Sequence, residues 1–195
     1  MPRVSEAEKT RSHERIVDVA STMLRQRGIE GTSVADVMAA AGMTHGGFYR
    51  HFPSKEALAG VAIDHAVEQS LGEVEADLAR GAGRRAVQRY IDHYLSDEHV
   101  AAPARGCPLA ALSRDAALSG AEVRAAYGRG VERTIEVLAA GMEGTALSRR
   151  RRALKLLSML IGAVSLARCS GAETRAEILL STRQSAARIM AATNN

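Results

Sequence analysis

The run Gly42–Glu56, reading Gly-Met-Thr-His-Gly-Gly-Phe-Tyr-Arg-His-Phe-Pro-Ser-Lys-Glu, constrains this chain more than any other stretch. Gly42 permits a sharp turn, Thr44 is a natural N-cap, Pro53 forbids continuation and Ser54 caps whatever follows. The helix left between them, about His45 to His51, is too short to be stable alone and must be held by neighbours. Phe48 and Phe52, with Met43, are the expected buried anchors. Gly46 and Gly47 each cost roughly 1 kcal/mol against Ala in a helix. A purely structural helix would avoid them, whereas close approach of another surface to the backbone accounts for them.

The rest of the chain reads as all-α. Good helix formers fill long stretches, β-branched alternating runs are missing, and the core is aliphatic, with 3% aromatics in a 46% hydrophobic composition. About nine helices are expected: Lys9 to Arg27, Val34 to Ala41, His45 to His51, Lys55 to Arg80, one from Gly83 to Asp97, Pro108 to Leu118, one from Gly120 to Met142, Ser148 to Cys169, and Glu173 to Ala192. Met1 to Glu8 reads as a frayed basic arm, and His99 to Pro108 as irregular. Domain boundaries are set at 1–54 for a helix-turn-helix domain and 55–195 for a ligand-binding and dimerisation domain, the fourth helix bridging the two.

Two short helices joined by a Gly turn form the helix-turn-helix pattern. Ala35, Val37, Met38 and Ala41 supply the packing face of the first, and the small run Ala39–Gly42 admits the second closely. Thr44, His45, Gly46, Gly47, Tyr49, Arg50 and His51 then form the outward face, chemistry suited to phosphate and base edges. Lys55 at a helix start opposes the local dipole, a cost that a nearby phosphate offsets.

Within this frame, Thr32 to Leu58, and above all Gly-Phe-Tyr-Arg-His-Phe-Pro-Ser-Lys-Glu-Ala-Leu at Gly47 to Leu58, resembles the DNA-binding domain of the TetR family of bacterial repressors. The resemblance covers roughly residues 10 to 60 in motif detail. It implies a homodimer that binds a pseudo-palindromic double-stranded operator and releases it when a small-molecule effector binds, with no cofactor. Carried over by position, Thr32 or Ser33, Thr44, Tyr49, His51 and Lys55 fall where the family contacts phosphate. His45, Gly46, Gly47 and Arg50 fall where it faces bases. His45 departs from the Lys common there, so the operator sequence cannot be borrowed from relatives.

The C-terminal half carries the expected dimer contact on the last two helices, with Leu157, Ile161, Ile178, Thr182, Ser185 and Ile189 as interface residues. Arg149–Arg152 reads as a solvated charged face. Effector contacts are expected from Tyr90, His93, Tyr94, Cys107, Tyr127 and Met159, for an apolar or mildly polar ligand. Gly106-Cys107-Pro108 places a thiol at an N-cap with Pro at N1. Two readings stand: a reactive thiolate favoured by the helix start and Arg105, as in one branch of the resembling family, or a small buried residue at a loop-to-helix junction.

Net charge is +4, which permits an anionic partner. Two cysteines make no disulfide framework and suit a reducing cytosol. No apolar leader or membrane span is legible, so a cytoplasmic protein is expected. Paired carboxylates, metal-ligand spacing, phosphate-binding Gly loops and nucleophile elbows are missing, so no enzyme is expected. A thiol-based electrophile-handling protein using Cys107, or an effector-independent DNA-binding dimer, are the alternatives.

Overall fold

The computed structural model describes residues 6–192, and every regular element among them is helical. Ten α-helices run α1 (Glu6–Arg27), α2 (Val34–Ala40), α3 (Lys55–Ala79), α4 (Arg84–Tyr94), α5 (Asp97–Ala101), α6 (Pro108–Ala111), α7 (Ser113–Leu118), α8 (Ala121–Ala140), α9 (Ala146–Arg168) and α10 (Ala172–Ala191). The expected helix at His45–Arg50 is a 3₁₀ turn, and Pro103–Arg105 forms another. Of the expected basic arm, Glu6 to Glu8 are already helical, with Glu6 and Glu8 complementing the α1 dipole; residues 1–5 lie outside the described residues. No helix among the described residues is long and apolar enough to cross a membrane.

Two apolar cores divide the chain. One joins α1, α2 and the first part of α3 through Ile16, Ala20, Leu24, Val37, Met38, Phe48, Phe52, Leu58 and Ile63. The other fills the C-terminal half with Val67, Leu71, Val87, Ile91, Leu109, Ile135, Leu138, Leu156, Leu160 and Val164. Helix α3 runs through both and packs on α8, where Gly130 lets the helices meet: a Cβ there would stand 2.8 Å from Val67 Cγ2. The first core is closed by the C-terminal half, since Leu112, Ala116, Val123 and Ala126 belong to it.

That division explains a break the sequence does not announce. The expected single helix from Pro108 to Leu118 splits at Leu112 (φ −113°, ψ 11°). The bend sends Leu109 into the C-terminal core and Leu112 with Ala116 into the N-terminal one, which a straight helix would not do. Upstream, Ser96 caps α5 by accepting the His99 N–H at 3.1 Å, giving order to a segment expected to be irregular.

The arginine run also differs from expectation. Arg152 is buried, and its guanidinium donates to the carbonyls of Ile189 and Ala192 at the end of α10 and of Glu143. It therefore satisfies a helix C-terminus that would otherwise leave carbonyls unpaired, and it ties the end of α10 to the segment before α9 in addition to their apolar packing. Arg150 pairs with Glu132 at 2.7 Å on the surface.

Candidate nucleic-acid interface and adjoining cavity

Helix α2 begins at Ser33, whose Oγ accepts the Asp36 N–H at 3.1 Å and donates to Asp36 Oδ2 at 2.7 Å. The hydroxyl holds the Asp36 carboxyl below its ordinary pKa. The helix ends with Gly42 at φ +71°, the Gly42 N–H reaching Ala39 O at 3.0 Å and the Met43 N–H reaching Met38 O at 2.8 Å. This Schellman pair turns the chain by local hydrogen bonds, and Gly takes the left-handed position without strain.

The 3₁₀ turn that follows is pinned from below. Phe48 and Phe52 are buried, 5.8 Å apart between ring centroids, and His13 of α1 stacks on Phe52 at 4.6 Å. Fully burying an aromatic ring contributes about 1.5–3 kcal/mol. Two such rings outweigh two glycines at roughly 1 kcal/mol each, so packing rather than propensity holds the turn. Both anchors sit as the sequence predicts, and Met43 is half-buried against the same core. Ala35, expected on the packing face, is exposed.

What the turn presents outward is Thr44, His45, Gly46, Tyr49 and Arg50, all exposed, with Tyr49 at 69%. Thr44 occupies the N-cap position but makes no side-chain capping bond. The glycines have no reason internal to the chain. Both have negative φ; a Cβ on Gly46 would meet nothing within 4 Å, and one on Gly47 would only touch Met38 Cε at 3.6 Å. Lys55 is half-buried in the first turn of α3, after Ser54 caps it by accepting the Ala57 N–H at 3.0 Å.

Two expected contacts stand differently. Thr32 is buried and its Oγ1 donates to Gly28 O at 2.8 Å, so it serves the α1–α2 corner and Ser33 remains as the exposed hydroxyl of the pair. His51 is half-buried beside His13, ring centroids 6.0 Å apart. Desolvation, then the charges of His13, Lys9 and Arg50, lowers its pKa and favours the neutral ring.

Beneath this unit lies a cavity of about 520 Å³, a ligand-sized volume, walled by α1, α3, α4 and the segment 99–107. Tyr90, His93, Tyr94 and Cys107 line it as expected. Tyr127 and Met159 do not: the Tyr127 hydroxyl donates to Leu109 O at 2.8 Å, and Met159 packs on the C-terminal core. Nor is the lining mainly apolar, because Asp18, Arg25, Gln69, Glu73, Asp77, Arg89, His99 and Arg105 share it. The α1 contribution (Asp18, Thr22, Arg25) could not be read from spacing, as those residues sit on a helix assigned wholly to the other core.

Cys107 is buried at 4% exposure, and burial pushes its thiol pKa up despite Tyr94, the backbone of Ala110 and Leu109, and Arg168 acting the other way. Of the two readings, the small buried residue is the one that matches: α6 spans only Pro108–Ala111, and desolvation wins over so short a dipole. Cys169 is exposed at the C-cap of α9. Leu157 and Thr182, expected at a dimer contact, are buried within the chain itself; the exposed large apolar residues on the last two helices are Leu147, Leu154, Leu166 and Leu180.

The architecture and the exposed turn define an all-helical protein, among its described residues, of the helix-turn-helix class. Residues 16–61 match the family model described as bacterial regulatory proteins, tetR family. It is 40% identical over 70 residues to the HTH-type transcriptional regulator AcrR of Shigella flexneri, covering 36% of this chain and 31% of that one. The chain spans about a third of the length of the first curated relatives it matches. Among solved structures, a TetR transcriptional regulator from Chloroflexus aurantiacus superposes with TM-score 0.74 at 25% identity over 96% of this chain and 98% of that one. The reduced form of Escherichia coli NemR gives TM-score 0.77 at 20% identity over 92% and 97%, a likeness of fold.

Proposed function

We propose that the chain is a dimeric transcriptional repressor that docks the turn Thr44–Arg50 of each subunit into the major groove of a two-fold operator and lets go when a small molecule fills the cavity. The observation that carries this reading is the exposed glycine pair, for which neither dihedral strain nor internal crowding gives a reason. Close approach to a DNA surface does. In this reading residues 1–54 bind DNA, and 55–195 hold the effector and the partner subunit, in the reducing cytosol. Ser33, Thr44, Tyr49, His51 and Lys55 engage phosphates, while His45, Gly46, Gly47 and Arg50 face bases.

Dimerisation would use α9 and α10, with the exposed Leu154, Leu166 and Leu180 added to the half-buried Ile161, Ile178, Ser185 and Ile189. Effector coupling has a physical route. The Ile29 N–H at the α1–α2 corner donates to Asp115 Oδ1 at 2.9 Å, and Gly120 N–H donates to Glu56 Oε1 at 3.3 Å. Helix α7 and the turn before α8 are thus fastened to both flanks of the DNA-facing turn, whose neighbours α1 and α3 also wall the cavity.

Footprinting on the intergenic DNA beside its own gene tests the reading. A protected two-fold site should appear, with affinity falling steeply as salt rises. Arg50→Ala should weaken binding by about 1–3 kcal/mol, which is about 5- to 150-fold. Unchanged affinity in that variant would remove Arg50 from the interface.

A further inference from the structure

One end of the cavity holds a buried arginine with no direct carboxylate partner among the described residues. Arg25 is buried at 7% exposure; its Nε donates to Ser21 O at 3.0 Å and its Nη1 to Gly106 O at 3.3 Å, while Ser21 Oγ and Gln69 Oε1 lie at 3.4 and 3.5 Å from Nη2. Among the described residues it forms no ion pair with a carboxylate, and Asp18, two turns back on α1, acts on it only at longer range. Arg168 reaches the same backbone from the other side. It donates to Val100 O and His99 O at 3.2 Å, and its Nη2 lies 2.7 Å from where a Cβ on Gly106 would stand. Two half-buried or buried guanidiniums therefore converge on Gly106 with neutral carbonyls as their acceptors, and Arg105 adds a third at the mouth. Buried cations without an anionic partner are costly.

A second, independent observation points the same way. Tyr94 is 2% exposed, and its hydroxyl has no hydrogen-bond partner in good geometry, although the Cys107 thiol, Tyr90 and Arg168 all act on it. His99 accepts the Cys107 N–H through Nε2 at 3.1 Å, so the neutral ring carries its proton on Nδ1. That Nδ1 is buried and also lacks an acceptor in good geometry, the Tyr94 carbonyl being its nearest influence. The inner end is thus rich in donors and poor in acceptors. The acidic groups of the lining are engaged or exposed: Asp77 is held between Arg80 and Arg89, Asp18 is bound by Gln69 Nε2 at 3.0 Å and lies 3.5 Å from His65 Nε2, and Glu73 is exposed.

We propose that the cavity takes a small organic anion, its carboxylate seated among Arg25, Tyr94 and His99 and its compact apolar body against Val74, Ala86 and Tyr90. As an effector assignment it rests on the ligand-responsive reading above; as a binding site it does not. The carboxylate supplies the missing counter-charge and the missing acceptors together, while a cation would meet Arg25 and Arg168 and a neutral amide would balance neither.

The test uses the full chain and three near-isosteric probes, benzoate, benzamide and benzamidinium, each to about 10 mM at matched ionic strength, read by saturation-transfer NMR and thermal unfolding. Benzoate should bind about tenfold or more tightly than benzamide, and benzamidinium should not bind. Arg25→Met and Tyr94→Phe should each lower benzoate affinity about tenfold, while Arg151→Met on the exposed face of α9 should not. Tyr94→Phe removes a single oxygen, so it decides the matter if Arg25→Met fails to fold. The proposal is overturned if benzamide or benzamidinium matches benzoate, if Tyr94→Phe binds benzoate as the parent does, or if no probe binds. DNA affinity is measured in parallel. Benzoate that binds without changing it supports the anion site and removes the ligand-responsive reading. Release of DNA by a neutral or cationic compound, with no benzoate binding, does the reverse.

Discussion

Replacing the glycine pair separates stability from DNA binding. In Gly46→Ala/Gly47→Ala both positions keep negative φ; the first Cβ enters open space and the second rests 3.6 Å from Met38 Cε and 3.9 Å from Thr44 Oγ1. Gly to Ala at a compatible position stabilises by about 0.4–1 kcal/mol, chiefly by restricting the unfolded chain. Two positions give about 1–2 kcal/mol, and at about 2–4 °C per kcal/mol for a chain of this size the melting temperature should rise by ~2–8 °C. The same methyls stand where the DNA surface would lie. Overpacking a close contact costs about 1–3 kcal/mol. A two-fold complex carries the change twice, so the loss is at least about 2 kcal/mol, or ~30-fold in operator affinity. Calorimetry and fluorescence anisotropy on the footprinted DNA read the two quantities. A variant that melts higher and still binds within about twofold of the parent would refute close approach as the reason for the glycines. One that melts lower would refute the account of the turn.

Two further outcomes follow from the packing. Burial, then Arg168, lowers the His99 pKa from an ordinary 6.5 to about 4. The unfolded chain therefore takes up a proton that the fold refuses, so stability present above pH 6.5 is lost as pH falls toward 4, at up to about 1.4 kcal/mol per pH unit. Denaturant titrations should show a shallower acid limb in His99→Gln than in the parent, with the His51 contribution common to both; superimposed limbs would contradict the burial argument. On the last two helices, Leu154→Arg with Leu180→Arg should give monomers by sedimentation while the chain stays folded, whereas Leu157→Ala should cost about 2–5 kcal/mol of stability. A persistent dimer would move the contact elsewhere.

The helix-turn-helix was legible because its signals are local: a Gly turn, caps at Ser33 and Ser54, a Pro stop and two aromatic anchors each act within a few residues. The all-helical class was legible for the same reason. What local patterning does not carry is which neighbour an apolar residue meets. Leu154 and Leu157 belong to one stripe by composition, yet one is exposed and the other sits in the core. Thr32 and Ser33 are equivalent caps on paper; only the α1–α2 corner turns one inward. Cys107 was left with two readings because N-cap logic is local, whereas its surroundings come from Tyr94 and His99 of α4 and α5. The split at Leu112 and the capping role of Arg152 likewise depend on elements distant in sequence.

The closure of the first core by Leu112, Ala116, Val123 and Ala126 bears on how this helix-turn-helix unit can be handled. The segment matched to the family model ends at residue 61, but the surface that holds it upright continues more than forty residues later. Cut out alone, it would leave Leu58 and Ala59 facing water and Ile29 without its Asp115 acceptor. Read-out heads exchanged between relatives would therefore have to travel with a matching face of α7 and α8, so operator specificity here is portable only as a paired graft.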